Sequence, residues 1–260
     1  KLFLLIKTID FHIKQLENMK TYPLELSYLG NSKLLSQTMI SIVGSRRPNS
    51  YTKKFTYELA QKLSNQNIVI VSGAAMGVDS LAHNGAGVSN TIAVVANGLD
   101  IRYPAVNKNL ISQIEKNGLM LSQFPQSEKA RAYTFVQRNE IVVALGDILI
   151  VTQADRASGS LRSVEFALSM GKKIYTLPHR INESMGTQDL LKKGLAEVIY
   201  DIDSFIESLG YSRSEENEDE LLEFCKSYPT YDEAVLKFGE RIFEYELLGK
   251  IKIGNGVISL

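Results

Sequence analysis

The chain has 260 residues, of which 44% are hydrophobic and 22% are charged, an ordinary composition for a globular protein. Its net charge of zero hides an asymmetry, because residues 1–200 hold 23 Lys and Arg against 15 Asp and Glu, whereas residues 201–260 hold 6 against 14. The single cysteine, Cys225, excludes an internal disulfide and a cysteine metal cluster. The asymmetry points to a polyanionic partner for the basic body, although an acidic tail docked on that body would also account for it.

The first 38 residues are predicted to form a helical lead-in, because apolar residues recur at helical spacing between Asp10 and Lys20. The apolar run at residues 2–6 is too short for the core of a signal peptide or for a membrane span. We therefore expect a buried first element and no membrane partner. A single cysteine suits a reducing compartment, so we expect a cytoplasmic protein.

Residues 40 to about 200 alternate apolar runs with helical stretches. The runs typical of strands lie at 40–43, 68–72, 91–95, 119–122, 147–152, 173–177 and 197–200. Helix-spaced apolar residues fill 52–65, 78–87, 107–117, 135–145, 160–170 and 187–193. Strands that alternate with helices of this length indicate βαβ units, and therefore an α/β protein with a mostly parallel sheet covered on both faces.

Loops rich in glycine and serine follow several of these strands. In an open parallel sheet such loops lie at the carboxyl edge, where backbone N–H groups and helix N-termini hold phosphate. Arginine forks also match phosphate, and two adjacent arginines suggest a large polyanion. The candidate loop residues are Gly44, Ser45, Arg46, Arg47, Ser72, Gly73, Ala74, Ser158, Gly159 and Ser160.

Each loop also has a purely structural interpretation. The two arginines can pair with surface carboxylates, and the loop at 72–79 can be a simple turn. Asp79 would repel a phosphate, so we expect its carboxylate to cap the helix that follows. Ser160 is a candidate N-cap that leaves the first amides of its helix available to an anion.

A helix near 135–145 carries a second candidate group. Phe135, Arg138 and Asn139 are spaced to share one face, and Arg131 lies one turn upstream. An aromatic ring beside arginine and asparagine suits a stacked base and its phosphate backbone. The alternative is that Phe135 is a core residue.

The last 50 residues have a different organisation. Residues 211–218 form an acidic, polar stretch, which we predict to be an exposed linker between a domain at 1–210 and a small domain at 219–260. Three short helical runs near 219–227, 230–237 and 239–249 precede an Asn255-Gly256 pair between alternating runs, a strong hairpin signal. Three helices and a hairpin predict a winged-helix-like module.

No catalytic set is evident in the sequence. His12, His83 and His179 are scattered, without the spacing of metal ligands, and no serine-nucleophile motif is present. We therefore expect no catalytic residue, no metal and no cofactor.

Five motifs in order resemble the DNA processing protein family known as DprA or Smf, over roughly residues 20–200. They are the segments 44–48, 72–83, 98–104 with Asn107, 138–139 and 158–161. The resemblance implies an extended Rossmann-like, doubly wound fold that binds single-stranded DNA without catalysis. It also implies a homodimer that protects incoming DNA and loads the RecA recombinase in natural transformation.

The resemblance assigns roles to particular residues. Arg46 is expected to grip the DNA backbone in a basic pocket, and Phe135 to stack near the bases. The glycines and serines at 44–45, 72–73 and 158–160 are expected to line that pocket. The acidic C-terminal module resembles the winged-helix-like domain that many members carry.

Two other functions remain open from the sequence alone. A Rossmann-like nucleotide phosphoribohydrolase would use the same loops, with Glu165 or Asp79 polarising a ribose. An interaction adaptor would work through residues 217–260, whose acidic character disfavours DNA and favours a protein partner.

Overall fold

The structure, a computed structural model, describes residues 5–211, 220–225, 227, 229–239, 241–247, 249–254 and 256–260. The chain divides into two compact units, Lys1–Ser212 and Arg213–Leu260. No helix in the described ranges is long and apolar enough to cross a bilayer.

The first unit is built on a nine-stranded sheet, counted over the described residues. Its strands are β1 (Lys7–Thr8), β2 (Ser27–Gly30), β3 (Met39–Val43), β4 (Val69–Ser72), β5 (Thr91–Val94), β6 (Leu119–Ser122), β7 (Ile148–Val151), β8 (Ile174–Thr176) and β9 (Glu197–Val198). Their order is β1-β2-β6-β5-β4-β3-β7-β8-β9. The strands from β6 to β9 in this order are parallel, and β1 and β2 add an antiparallel edge.

Helices cover both faces of this sheet. They are α1 (Ser50–Asn65), α2 (Val78–Ala86), α3 (Lys108–Asn117), α4 (Ala132–Leu145), α5 (Gly159–Ser169), α6 (Met185–Lys192) and α7 (Ile202–Ser208). One buried cluster joins the sheet to α4, α5 and α6, and two others join it to α1, α2, α7 and α3. The expected extended Rossmann-like, doubly wound α/β fold is therefore confirmed.

The alternation of side chains along β3 explains why both faces are covered. Met39 and Val43 join the cluster under α4, whereas Ile40 and Ile42 join the cluster under α1 and α2. Successive side chains of a strand point to opposite faces, so an all-apolar run needs a cover on each side.

The expected helical lead-in is wrong in its secondary structure. Within the described part of this segment the helical turns are 3₁₀ turns, at Lys14–Asn18 and Ser32–Ser36, and the short strands β1 and β2 lie before and between them. No side-chain hydrogen bond caps the first turn at Ile13, so a local stabilisation that favours a helix start is missing there. The β2 backbone instead pairs with the edge of β6, an interaction that local spacing does not reveal.

The chain changes direction at the centre of the sheet. From β3 it proceeds through β4 and β5 to β6 on one side, and then crosses to β7 and continues through β8 to β9 on the other. The carboxyl ends of β3 and β7 therefore flank the topological switch point, where open α/β sheets bind ligands.

The second unit contains α8 (Glu220–Cys225), α9 (Tyr231–Phe238), α10 (Arg241–Leu247), β10 (Lys252–Gly254) and β11 (Val257–Ser259). The two strands pair antiparallel, which confirms the predicted hairpin. Buried side chains from all three helices and the hairpin form a separate core. The predicted linker at 211–218 lies, apart from Tyr211, outside the described residues, and the winged-helix-like assignment stays a prediction.

Candidate nucleic-acid interface

A cleft of about 690 Å³ opens at the switch point, between the loops after β3, β4 and β7 and the first turns of α4 and α5. Ten of the predicted site residues line it. They are Gly44, Ser45, Arg46, Gly73, Phe135, Arg138, Asn139, Ser158, Gly159 and Ser160.

The loop after β3 is fixed by backbone contacts with its neighbours. The Ser45 N–H donates to the carbonyl of Gln153 at 2.8 Å, which ties this loop to the one after β7. The Val78 N–H donates to the Ser45 carbonyl at 3.1 Å, which ties it to the start of α2. The Ser45 hydroxyl accepts from the Arg47 N–H at 3.1 Å. The loop thus holds the backbone from which the exposed Arg46 projects.

Phe135 is half-buried and stands in the cleft between two arginines. The Arg46 guanidinium carbon lies 5.0 Å from the centre of the Phe135 ring, and that of Arg138 lies 5.9 Å away. Both distances are within the range of cation–π attraction. The ring therefore presents part of its surface to the cleft beside a solvent-exposed cation.

Arg138 lies beneath the cleft rather than in solvent, with 4% of its surface exposed. Its Nη1 donates to the carbonyls of Gly73 and Val94, the latter at 2.7 Å, and its Nε donates to Asn139 Oδ1 at 3.0 Å. Burial lowers the pKa of this guanidinium, and the nearby Asp79 carboxylate opposes that shift. Arg138 thus holds β4 and β5 together under the cleft.

Asp79 does not cap α2 as expected. It is the second residue of that helix, and its Oδ2 accepts from the Ala75 N–H at 3.3 Å, upstream of the helix start. Burial raises the pKa of the Asp79 carboxyl, while Arg138 and the Ala75 N–H act in the opposite direction. The carboxylate therefore braces the β4 loop, with Arg138 as its counter-charge.

Two further side chains hold the same loop. The Ala74 N–H donates to His83 Nε2 at 3.2 Å, so the proton of this imidazole lies on Nδ1, which is 2.6 Å from the Thr91 hydroxyl. The Asn107 Nδ2 donates to the carbonyls of Ala74 and Ala75 at 3.0 and 2.9 Å. Burial lowers the pKa of His83 to about 3, with a further contribution from Arg138, so this imidazole is neutral.

The start of α5 offers unoccupied hydrogen-bonding groups to the cleft. Its N-cap residue is Ser158 and not Ser160 as expected, and the Ser158 side chain makes no capping hydrogen bond. The hydroxyls of Ser158 and Ser163 are both buried and have no hydrogen-bond partner among the described residues, and both residues line the cleft. Free N–H groups and hydroxyls at a helix N-terminus suit an anion such as phosphate.

Four predicted site residues do not line the cleft. Ser72 and Ala74 are fully buried, and the Ser72 hydroxyl donates to the carbonyl of Ile42 at 2.7 Å. Arg47 is exposed beside the cleft, and Arg131 is exposed at the start of α4, where its Nε lies 3.8 Å from Glu128. The loops were therefore predicted better than the individual side chains within them.

Sequence reasoning missed several residues that line the cleft, among them Arg162, Ser163 and Asp155. Ser163 lies one helical turn after Ser160, so its position on the same face of α5 could have been found from spacing. No group of His, Cys, Asp and Glu suited to a metal occurs in the described part of the chain.

Comparison with known proteins decides the family. The family model for DNA recombination-mediator protein A matches residues 4–210. The chain belongs to this family. Its curated relatives include DNA processing protein DprA of Streptococcus pneumoniae, 36% identical over 176 residues, which are 66% of this chain and 62% of the relative. DprA of Bacillus subtilis is 32% identical over 213 residues, 78% of this chain and 71% of that protein.

Family members of known structure share the fold. DNA processing protein A of Helicobacter pylori, whose structure was determined for its single-stranded DNA binding mode, superposes with a TM-score of 0.78 and 39% identity, over 79% of this chain and 96% of that one. DprA of S. pneumoniae superposes with a TM-score of 0.70 and 34% identity, over 76% and 71% of the two chains. The chain spans about half the length of several curated relatives. One of them is protein Smf from Synechocystis, which is 35% identical over 66% of this chain and 44% of that relative.

Proposed function

We propose that the cleft at the switch point binds single-stranded DNA, with a base against Phe135 and phosphates at Arg46 and the start of α5. The observation that carries this proposal is the half-exposed Phe135 ring 5.0 Å from the exposed Arg46 guanidinium. Stacking and a cation beside the ring are what sequence-tolerant single-strand binding requires. The family, and the binding mode studied in the H. pylori protein, support the same ligand.

The unpartnered groups of α5 complete this proposed site. A phosphate at the helix N-terminus would accept from the first amides, and from the Ser158 and Ser163 hydroxyls after these two side chains rotate towards the cleft. A base stacks on a ring whatever its identity, so binding should be largely independent of sequence. It should also weaken as salt increases, since phosphate contacts release counterions.

The contacts of the two carboxylates favour binding over hydrolysis. Glu165 is exposed, and its carboxylate lies 2.7 Å from Arg162 Nη1. Asp79 lines the cleft, but its Oδ2 accepts from the Ala75 N–H and its charge is opposed by Arg138. Neither contact prepares a carboxylate to polarise a ribose, so we propose a binding protein and not a nucleotide hydrolase.

Fluorescence anisotropy of a labelled thymidine oligonucleotide across a salt series tests this function. We expect Arg46→Ala and Phe135→Ala each to weaken binding about 5- to 100-fold. Arg47→Ala is the matched control, because Arg47 is the adjacent exposed arginine and does not line the cleft. If Arg46→Ala and Phe135→Ala bind like the wild type, or if the wild type does not bind, the site is wrongly assigned.

Membership of a family of DNA recombination mediators supports a wider role for the chain. We propose that a homodimer protects incoming single strands and loads RecA during natural transformation. We also propose that it acts in the cytoplasm, a reducing compartment that agrees with the single cysteine of the chain. Formation of RecA filaments on strands coated with single-strand-binding protein should accelerate in its presence. The Phe135→Ala variant should lose this acceleration, and an equal effect of wild type and variant would argue against DNA-dependent loading.

A further inference from the structure

We infer that Tyr103 provides a second base-stacking position beside Phe135, so that two neighbouring bases of one strand are held by two adjacent rings. This inference rests on the proposed single-strand binding function and extends it to a residue outside the main cleft. Tyr103 lies in the loop that follows β5, and 46% of its surface is exposed. Its ring centre is 6.2 Å from that of Phe135, with 51° between the ring planes.

The shape of the surface indicates how a base would contact this ring. Tyr103, Phe135, Arg46 and Met76 share a hollow of about 20 Å³ beside the cleft. A space of that size holds no more than about one water molecule, so a nucleobase cannot enter it. A base must therefore rest on the exposed part of the Tyr103 ring, next to the half-exposed side chain of Met76.

The loop that carries Tyr103 is anchored immediately before it. The Arg102 guanidinium donates to both carboxylate oxygens of Glu115, at 2.7 to 3.0 Å, and Glu115 is 2% exposed. The Asn97 Nδ2 donates to the carbonyls of Gly98 and Ile101, at 2.9 and 2.6 Å. The ion pair between the exposed Arg102 and the buried Glu115 carboxylate, together with the Asn97 amide contacts, thus fixes the backbone on which the exposed ring stands.

The loop is also anchored after Tyr103, and to the proposed DNA site itself. Asn107 donates to the carbonyls of Ala74 and Ala75, which belong to the loop that borders the cleft. In the described part of the chain the Tyr103 hydroxyl makes no hydrogen bond, so the ring is not held out by a polar contact of its own. A ring presented by a rigid loop loses little conformational freedom when a base stacks on it.

The test compares two labelled strands of equal length, one of thymidines and one of abasic sites. We expect Tyr103→Ala to bind the thymidine strand about 5- to 100-fold more weakly than the wild type, the usual effect of removing one stacking ring. The same variant should bind the abasic strand as the wild type does. Tyr103→Phe should bind the thymidine strand like the wild type, because it retains the ring.

Tyr57→Ala is the matched control, since Tyr57 on α1 is 42% exposed and lines neither the cleft nor the hollow. Tryptophan fluorescence provides a second measurement, because the chain has no tryptophan of its own and an introduced one reports alone. The Trp in a Tyr103→Trp variant should be quenched by the thymidine strand and much less by the abasic strand, whereas that in Tyr57→Trp should respond to neither.

The outcomes separate this inference from the function on which it rests. If the wild type binds no single strand, the proposed function and the inference both fail. If the wild type binds and Tyr103→Ala binds equally well, or loses affinity equally for both strands, only the inference is overturned. The exposed ring would then be better explained as a contact for a protein partner.

Discussion

At Gly73, a side chain would meet the guanidinium of Arg138 and a carboxylate oxygen of Asp79. Arg138 cannot retreat freely, because its Nη1 is bound to the carbonyls of Gly73 and Val94. We therefore expect Gly73→Ala to lower the free energy of unfolding by about 1–3 kcal/mol, the usual result of overpacking or of breaking a buried charged hydrogen bond. Urea unfolding measures this change. Gly159→Ala is the control, because its added methyl group meets no atom within 4 Å, and equal losses in both variants would contradict the argument.

His83 makes stability depend on pH at the same loop. Its folded-state pKa is about 3, against an ordinary value of 6.5, because it is buried and near Arg138. Between these two pH values the unfolded chain therefore binds a proton at His83 that the folded chain does not bind. The contribution of neutral His83 to the free energy of unfolding is fully present above pH 6.5, and it is lost as pH falls from 6.5 towards 3. The slope from one such proton is about 1 kcal/mol per pH unit.

The variant His83→Gln removes this titration and keeps a side chain that can hydrogen-bond. We expect the wild type to lose stability faster than the variant between about pH 6 and pH 4, as measured by urea midpoints at each pH. The raised pKa of Asp79 is present in the wild type and in His83→Gln, so it contributes equally to the two slopes of stability against pH. Parallel pH profiles would show that His83 does not carry the effect.

At the scale of elements, the start of α5 has a side chain that we expect to contribute to ligand binding but not to stability. The buried Ser163 hydroxyl has no hydrogen-bond partner in the part of the chain that the structure describes, so its burial costs desolvation without a compensating hydrogen bond. We expect Ser163→Ala to leave the Tm unchanged or higher, and to weaken single-strand binding several-fold, about 3- to 10-fold, through a lost phosphate contact. Thermal unfolding and anisotropy on one sample provide both measurements.

Ser41→Ala is the matched control for this prediction. Ser41 is equally buried, but its hydroxyl donates to the Val142 carbonyl at 2.5 Å between β3 and α4. Its removal should lower the Tm and leave DNA affinity unchanged. If Ser163→Ala behaves like Ser41→Ala, the Ser163 hydroxyl serves the fold and not the proposed site.

The parallel strands and their helices were predictable because both signals are local. A run such as 40–43 is apolar throughout, and helix-spaced residues follow it, so each βαβ unit is apparent from the sequence. β1 and β2 were not found, because Lys7–Thr8 is exposed and polar and Ser27–Gly30 is a strand through its pairing with β1 and β6. Antiparallel edge pairing is a tertiary property, which a local pattern does not contain.

The same distinction applies to the site. Topology alone brings the loops after β3, β4 and β7 to one edge, so the location of the cleft followed from the predicted strands. Which side chains face the cleft did not follow, since Ser72 and Ala74 turn into the core while their neighbour Gly73 borders the cleft. Tyr103 meets Phe135 only because β5 lies near α4 in the folded sheet, an approach that no spacing along the chain encodes.

For the whole molecule, charge and packing divide the chain at nearly the same place. The buried clusters of the first unit use residues up to 211, and the second unit has its own cluster. Basic residues outnumber acidic ones before residue 201, and the reverse holds after it. A unit with its own core can fold alone, so the proposed DNA site does not require the acidic unit for its structure.

A fragment of residues 1–212 tests this division. This fragment lacks the 11 Asp and Glu and the 6 Lys and Arg of residues 213–260, so its net charge is more positive than that of the full chain. We expect the fragment to unfold cooperatively and to bind thymidine strands at least as tightly as the full chain at low salt, because a long-range repulsion has been removed. The slope of log affinity against log salt should be unchanged, since that slope counts phosphates contacted in the cleft. A folded fragment with a shallower slope would mean that residues 213–260 contact DNA themselves, and the acidic unit would then belong to the binding surface.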